Sequence, residues 1–425
     1  MKKVLVISPY FPPGNAADMQ RVRISLPYFR QFGWEAEIVT VDPQYSDLEK
    51  DNLLLESIPP DTVIHYVAAL SKNWTSKLGL GSIALRSIWF FRAKVNALLK
   101  GDKYDLIYFS TTQFPVCILG AYWKKRFGIP YVIDMQDPWH SDYYQDKPKE
   151  QRPSKYWFSY RLNKWLEPIA MRQVAGLISV SADYITDLKT RYPKIKNVPA
   201  QVITFAASEE DFRIAEKHMS ELMPVFTKQK DLIELVYVGR GGQDLHKALR
   251  IIFKGFKNGL NENLPVFENF RFHFFGTSYA PSGKGIVTIL PLARELGISK
   301  YVYEDCHRMS YYQSLRTLLE ADILIVPGSD DPKYTASKIF NFILAAKPLL
   351  SVFSPSSSTY RIVSECNAGE MLSFDDKEAS SKVCRFLQNY LSGNYEKPIL
   401  NSGKFNEYSA AEMVKKQCLL FESVL

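Results

Sequence analysis

LIELVYVGRGGQDLHKAL, residues 232–249, is an apolar run, a glycine-rich loop and the opening of a helix in immediate succession. A continuous run of β-branched and aromatic residues of this length fits a strand buried on both faces, which belongs in a parallel sheet. The stretch also restarts a pattern. Upstream, VLVIS, AEIVTV, TVIHYV, DLIYFS, IPYVIDM, GLISVS and QVITF are short apolar runs, each followed by a polar or helical segment. From about residue 231 a second series follows: LIELVYVG, FRFHFFG, YVYED, DILIVP, KPLLSVF and GEMLSF. Strand alternating with helix, twice over, predicts an α/β protein of two doubly wound, Rossmann-like domains.

The expected boundaries are 1–204 for the first domain, a polar linker over 205–230, 231–395 for the second domain, and a helical segment over 396–425 that packs back on the first. A chain of 425 residues exceeds what one core organises, which agrees with roughly two domains of ~200 residues. Domains of this class bind ligands at the carboxyl ends of their strands, so two of them in tandem are expected to face a central cleft.

Composition excludes several classes. Hydrophobic residues at 46% and charged residues at 23% exclude a disordered chain. The five cysteines at 117, 306, 366, 384 and 418 show no C-x-x-C and no Cys/His cluster, so they fit a reducing cytoplasm and predict neither disulfides nor zinc. MKKVLVISPYF has too short an apolar centre for a signal sequence, whose apolar region runs ~7–15 residues, and reads as a first strand. No run approaches the ~18 apolar residues of a membrane-spanning helix. The net charge of +8 fits an anionic substrate or an acidic membrane surface, and no nucleic-acid partner is expected.

Four strand ends carry residues with chemistry. SPYFPPGNAADMQRVR, after the first strand, has Gly14 for a tight turn and Arg21 at the next helix, without a G-x-G-x-x-G fingerprint. IDMQDPWHSDYY groups Asp134, Asp137, His140 and Asp142 with Trp139; rings stack on a sugar's apolar face while carboxylates accept its hydroxyl protons. Its spacing is not that of a metal site, and none is expected. In GRGGQDLHK, Gly239 and Gly241 let the backbone approach a ligand, Arg240 offers a planar fork to phosphate oxygens and Lys247 adds a point charge. In KYTASKIFNFILAAKPLL, residues 333–350, Thr335, Ser337, Lys338 and Asn341 fall in the first turn of an expected helix, where free N–H groups and the helix dipole suit a phosphate. The plainer alternatives are a capping Thr335 or Ser337 and a solvated Lys338 and Asn341.

Nearly end to end, these residues resemble the family 4 glycosyltransferases, retaining enzymes with the GT-B fold of two Rossmann-like domains. SPYFPPGNAADMQR is similar to that family's P-P-x-x-G-G loop, DMQDPWH to a D-x-R-D-x-W-P stretch, and WLEPIAMRQVAGLISVS to its Glu helix and following strand. GRGGQDLHK resembles the G-R…K diphosphate site, and HRMSYYQSLRTLLEADILIVP followed by SKIFNFILAAKPLL the donor region, usually written K-x-x-E-Y-x-A-x-G-K-P. The resemblance implies a hexosyltransferase-like enzyme whose nucleotide-sugar is a substrate, with no cofactor and no required metal. The donor would meet Gly14, Gly239, Gly241, Ser337, Lys338 and Asn341, and a glycan or lipid-linked acceptor would meet Arg21 and Trp139 on the first domain. Asp137, His140, Arg240 and Lys247 would be catalytic, the last two neutralising the leaving diphosphate, in cell-surface polysaccharide biosynthesis. Counting back from Pro348, Lys333 and Asn341 stand where many members carry two glutamates. A sugar-nucleotide epimerase of similar fold and a noncatalytic sugar-nucleotide-binding subunit are the alternative functions.

One further stretch bears on location. Between Asp61 and Asp102 there is no acidic residue, while Lys72, Lys77, Arg86, Arg92, Lys94 and Lys100 lie among Trp74, Trp89, Phe90 and Phe91. Ile88, Phe91, Val95 and Leu98 recur at helical spacing, which fits either a core stripe or a helix at the face of an anionic membrane. The expectation is a cytoplasmic protein, peripheral at the inner face of the membrane.

Overall fold

The structure is a computed structural model that describes the chain except residues 141, 143–144, 146–151, 153–155, 263, 279–284 and 331–336, and except the side chains of 78, 264 and 265. Lys333 and Thr335 therefore lie outside the described residues. The chain divides into two compact units, Met1–Ala206 with Ser409–Leu425, and Ala207–Tyr408.

In the first unit, β1 (Lys2–Ile7), β2 (Trp34–Val41), β3 (Ile64–Val67), β4 (Leu106–Ser110), β5 (Tyr131–Met135), β6 (Gly176–Ser179) and β7 (Ala200–Val202) form one sheet. The order is β3-β2-β1-β4-β5-β6-β7, with every pair parallel. α1 (Gln20–Ser25), α2 (Lys72–Thr75), α3 (Ile83–Gly101), α4 (Ile118–Phe127), α5 (Tyr156–Met171) and α6 (Ala182–Arg191) connect the strands.

The second unit begins with α7 (Glu209–Lys217) and builds a sheet from β8 (Ile233–Val238), β9 (Phe270–Phe275), β10 (Val302–Asp305), β11 (Ile323–Pro327), β12 (Leu349–Phe353) and β13 (Glu370–Ser373). Its order, β10-β9-β8-β11-β12-β13, is again all parallel. The helices are α8 (His246–Glu262), α9 (Leu264–Phe267), α10 (Ile289–Glu295), α11 (Tyr311–Glu320), α12 (Ile339–Leu344), α13 (Ser358–Glu365), α14 (Ala379–Leu391) and α15 (Ser402–Asn406), and α16 (Ala410–Ser423) returns to the first unit.

All thirteen expected strands are present, as two Rossmann-like domains. Their central residues are buried on both faces, Val4–Ile7 and Leu106–Ser110 in one sheet and Ile323–Val326 in the other, as continuous apolar runs require. In each sheet the strand order reverses beside the first strand, between β1 and β4 and between β8 and β11. Neighbouring loops part there and leave a crevice at the carboxyl ends, where ligands of this fold class bind.

Three local expectations are corrected. The linker over 205–230 contains α7, whose Phe212, Ile214 and Ala215 are buried and whose fully buried Asp211 accepts hydrogen bonds from the hydroxyls of Tyr311 (2.9 Å) and Tyr312 (3.1 Å) on α11. The segment's polarity is the wet face of an amphipathic helix that belongs to the second unit. Residues 396–408 also stay with the second unit, tied by Asn401 N–H to Cys366 O at 2.8 Å, and only α16 packs back, setting Phe421 against Trp34 and Tyr108 at 5.3 and 5.1 Å. Finally, the α3 stripe is core: Phe91 and Val95 are fully buried, and Ile88 and Leu98 pack against the same cluster.

Candidate functional sites at the strand ends

In the second unit the loop after β8 is held in a narrow slot. The Glu304 carboxylate accepts from Thr277 Oγ1 (2.9 Å) and from the N–H groups of Thr288, Ile289 and Leu290 at 2.8–3.0 Å, which pins both threonines. Gly241 lies between them; a Cβ there would come within 2.7 Å of Thr288 Oγ1 and 3.1 Å of Thr277 Cβ. A Cβ on Gly239 would come within 2.6 Å of the Tyr237 hydroxyl and 2.9 Å of Lys338 Nζ. Both glycines are therefore required by space. Their amides do not form a phosphate cradle, because Gly239 N–H donates to Phe275 O (2.9 Å) and Gly241 N–H to Thr277 O (2.7 Å).

The cations do converge. Arg240 grips Asp244 with both terminal nitrogens, at 2.9 and 2.6 Å, one helical turn along the chain. Burial works to raise the Asp244 carboxyl, but hydrogen bonds from Arg240 and Ser329 outweigh it and leave the group below its usual range. Lys338 Nζ lies close beside Gly239, where a Cβ would come within 2.9 Å of it. Burial of its ammonium, with Arg240 and then Arg308 as neighbouring positive charges, brings it down to about 8. Arg240 and Arg308 thus both act as positive neighbours of the Lys338 ammonium, and the Asp244 carboxylate is committed to Arg240.

Lys247 is not shown in this group: it is exposed on the first turn of α8, with Nζ 4.8 Å over the Phe374 ring. Arg308, in the loop after β10, lies in the HRMS stretch that opens the donor-region resemblance but was not named there as a site residue. The expected helix start is also corrected. α12 begins at Ile339, so Ser337 and Lys338 precede it in a turn, no side chain caps it, and the half-buried Asn341 is its third residue, with its N–H on Lys338 O at 3.0 Å.

In the first unit, Arg21 is corrected outright. It is fully buried, with Nε 2.8 Å from Asp134 Oδ2 and its other nitrogens donating to Ile203 O (2.9 Å) and Thr204 O (3.1 Å). Asp134 also accepts from Ser110 Oγ and Gln136 Nε2, both at 2.9 Å. Arg21 joins the first loop to the sheet and does not face an acceptor. Gly14 lies on the same loop, bridging to Lys50, and is not shown among the donor-site cations of the second unit.

Asp137 and Trp139 line a pocket of about 400 Å³ at the ends of β4 and β5. Trp139 is buried in its wall, stacked on Phe114 at 5.3 Å and donating from Nε1 to Asn163 Oδ1 (3.2 Å). Leu85, Phe158 and Leu162 complete its apolar side. Asp137 is accessible at the rim, and the protein crowded around it, with the negative charge of Asp18, pushes its carboxyl up to about 6. Asp18 was missed in sequence. It is buried and accepts from Thr111 Oγ1 (2.8 Å), Thr112 N–H (3.0 Å) and Thr112 Oγ1 (3.2 Å), partners on a distant loop that its own surroundings do not announce.

His140 lies under the loop and is not part of the pocket lining. Its backbone N–H donates to Glu167 Oε2 (3.0 Å), its ring packs 4.8 Å from that of Tyr160, and neither ring nitrogen has a hydrogen bond among the described residues. Burial, followed by the charge of Arg191, holds its pKa below the usual range, so the ring is neutral at pH 7. Asp142 is exposed, 4.0 Å from His140 Nε2, and bonds the Tyr160 hydroxyl (2.7 Å). Among the described residues no group of three or more His, Cys, Asp or Glu is placed to hold a metal ion, and no helix is long and apolar enough to cross a membrane.

No family model and no curated protein match this sequence. Solved structures do match. Anabaena HepE in complex with UDP-glucose is similar over the whole of both chains, with 15% identity and a TM-score of 0.58. Sucrose-phosphate synthase from Thermosynechococcus elongatus matches over 100% of this chain and 95% of its own, at 12% identity and TM-score 0.54. WaaG, a glycosyltransferase involved in lipopolysaccharide biosynthesis, matches over 99% and 98%, at 14% and 0.51. The chain has the GT-B fold of these proteins.

Proposed function

We propose that the protein is a glycosyltransferase that moves a hexose from a nucleoside diphosphate sugar to a hydroxyl of a glycan or lipid-linked acceptor with retention, for polysaccharide synthesis in the cytoplasm at the inner face of the membrane. The observation that carries this is the convergence of Arg240, Lys338 and Arg308 beside Gly239, at the switch point of the second unit. Positive charges of this kind around a buried ammonium suit a diphosphate, and the complex of HepE with UDP-glucose supplies the analogy for a sugar-linked one.

In this reading the bond from the anomeric carbon to the diphosphate breaks, negative charge grows on the leaving oxygen, and the three cations meet it in the role a divalent ion would otherwise fill. The acceptor oxygen attacks from the face the diphosphate leaves. Asp137 takes the proton from that hydroxyl at the pocket rim as its new bond to the anomeric carbon forms, while Trp139 and Phe114 shape the wall behind it. His140, buried and neutral, supports the loop through its backbone bond to Glu167.

The test is a panel of UDP- and GDP-sugars, scored first by melting temperature and then by nucleotide release with and without a glycan or lipid-linked acceptor. A donor that binds the folded state raises the melting temperature by mass action. Release that depends on acceptor supports transfer, a changed sugar indicates epimerisation, and binding without turnover indicates a noncatalytic subunit.

A further inference from the structure

α3, α4 and α5 lie side by side over the first sheet and share one core, into which they send Phe91, Val95, Trp123 and Leu166. Their other faces carry a different set. Trp89, Trp157 and Trp165 are 65%, 67% and 67% exposed. Indole rings left this open are uncommon on a soluble surface, because each keeps a large apolar area in water.

The exposed charge on these three helices has one sign. α3 and α4 contain no Asp or Glu, and the single acid of α5, Glu167, is fully buried with Arg191 and Tyr192. Lys125, Arg126, Arg161 and Lys164 are exposed and Arg92 half-exposed on the same helices. Arg161 lies 4.3 Å over Trp157, and Arg92 and Arg126 close on Tyr122 from α3 and α4 at 4.5 and 5.9 Å. The hydrogen bond from Arg92 comes first among the causes that lower the Tyr122 phenol to about 8. At the amino end of α5, Asp142 is engaged by Tyr160.

We propose that the outer face of α3, α4 and α5 docks on an anionic lipid surface, with Trp89, Trp157 and Trp165 entering the headgroup layer and Arg92, Lys125, Arg126 and Arg161 meeting lipid phosphates. This rests on the peripheral location proposed above and replaces the α3 stripe, whose Phe91 and Val95 are in the core, with a face built from three helices. Tryptophan is at home at that depth because its ring is apolar and its N–H is not, and each nearby cation adds attraction to anionic headgroups. The pocket bearing Asp137 takes Leu85 from α3 and Phe158 and Leu162 from α5, so docking sets its wall beside the lipid that would carry an amphiphilic acceptor.

Sedimentation of the full chain with phosphatidylcholine vesicles, with and without phosphatidylglycerol, tests this. The protein should pellet with anionic vesicles at low salt and be released as salt rises, since screening shortens to ~8–10 Å at moderate ionic strength. Arg92→Glu and Arg161→Glu should each lower partitioning on the order of fivefold or more, and Trp157→Ser and Trp165→Ser should also lower it. The same charge reversal at the exposed Lys194 and Lys196, off these helices, should change it little. Equal binding to neutral vesicles, an acidic protein as the only partner, or equal losses at Lys194 and Lys196 would overturn the proposal. Binding of the UDP- and GDP-sugar panel, followed on the same samples, separates the two readings: vesicle binding with no nucleotide-sugar bound sinks the transferase assignment and leaves the face standing.

Discussion

Replacing Lys338 with methionine should strengthen the fold and weaken the donor site together. The ammonium falls from 10.5 to about 8, chiefly because burial strips its water. That difference of about 2.5 units, at ~1.36 kcal/mol per unit, puts the penalty for carrying the charge in the folded state near 3 kcal/mol as a ceiling. Between pH 8 and 10.5 the unfolded chain holds this proton more than the folded chain does. The penalty is therefore full below pH 8 and relieved as pH rises towards 10.5. Lys338→Met removes it: urea unfolding at pH 7 should show a gain of up to about 3 kcal/mol over the parent, shrinking as the pH approaches 10. Calorimetric titration of UDP should move the other way, losing ~1.5–3 kcal/mol, because a hydrogen bond to a charged phosphate is gone. If Lys338→Met were no more stable than the parent at pH 7 and bound UDP equally well, neither the burial of this ammonium nor its role as a phosphate ligand would survive.

Arg240→Ala should weaken UDP binding by ~1.5–3 kcal/mol in the same titration; unchanged affinity would remove it from the donor site. Asp137→Asn should slow transfer by ~100-fold or more while UDP affinity holds. Because the acid form of Asp137 predominates below about pH 6, the parent's rate should fall as pH drops through 6, and a fall that persists in Asp137→Asn would assign that limb to another group. Arg21→Met should leave Asp134 buried without its cation and lower stability by ~3–5 kcal/mol in urea unfolding; a stable variant altered only in its Michaelis constant for acceptor would restore Arg21 to the acceptor site.

The thirteen strands could be read from the sequence because a strand buried on both faces leaves an uninterrupted apolar signature within a handful of residues, as in LIYFS and ILIVP. α7 could not be read in the same way. Half of it is wet, and Asp211, which looks like surface, is buried only because Tyr311 and Tyr312 reach it from another helix. The α3 stripe failed for a related reason. Ile88, Phe91, Val95 and Leu98 at helical spacing define a face but not what covers it; the informative residue was Trp89, which falls off the stripe and stays in water.

The site was half legible, and Arg21 and Arg240 show where legibility ends. Each follows the first strand of its domain, and each was read as a ligand-facing cation. Arg21 lies at full burial against Asp134, with backbone oxygens on its other two nitrogens, so its guanidinium is closed off from a substrate. Arg240 is bound to Asp244 only four residues away, remains partly exposed, and has Lys338 and Arg308 as neighbouring positive charges. Whether an arginine serves the fold or a ligand depends on the charge balance of its surroundings, and those partners come from strands and loops remote in sequence. Around Arg21 the balance closes within the protein. Around Arg240 the neighbours are further cations, one of them a buried ammonium, and this difference is why the diphosphate is proposed at the second cluster.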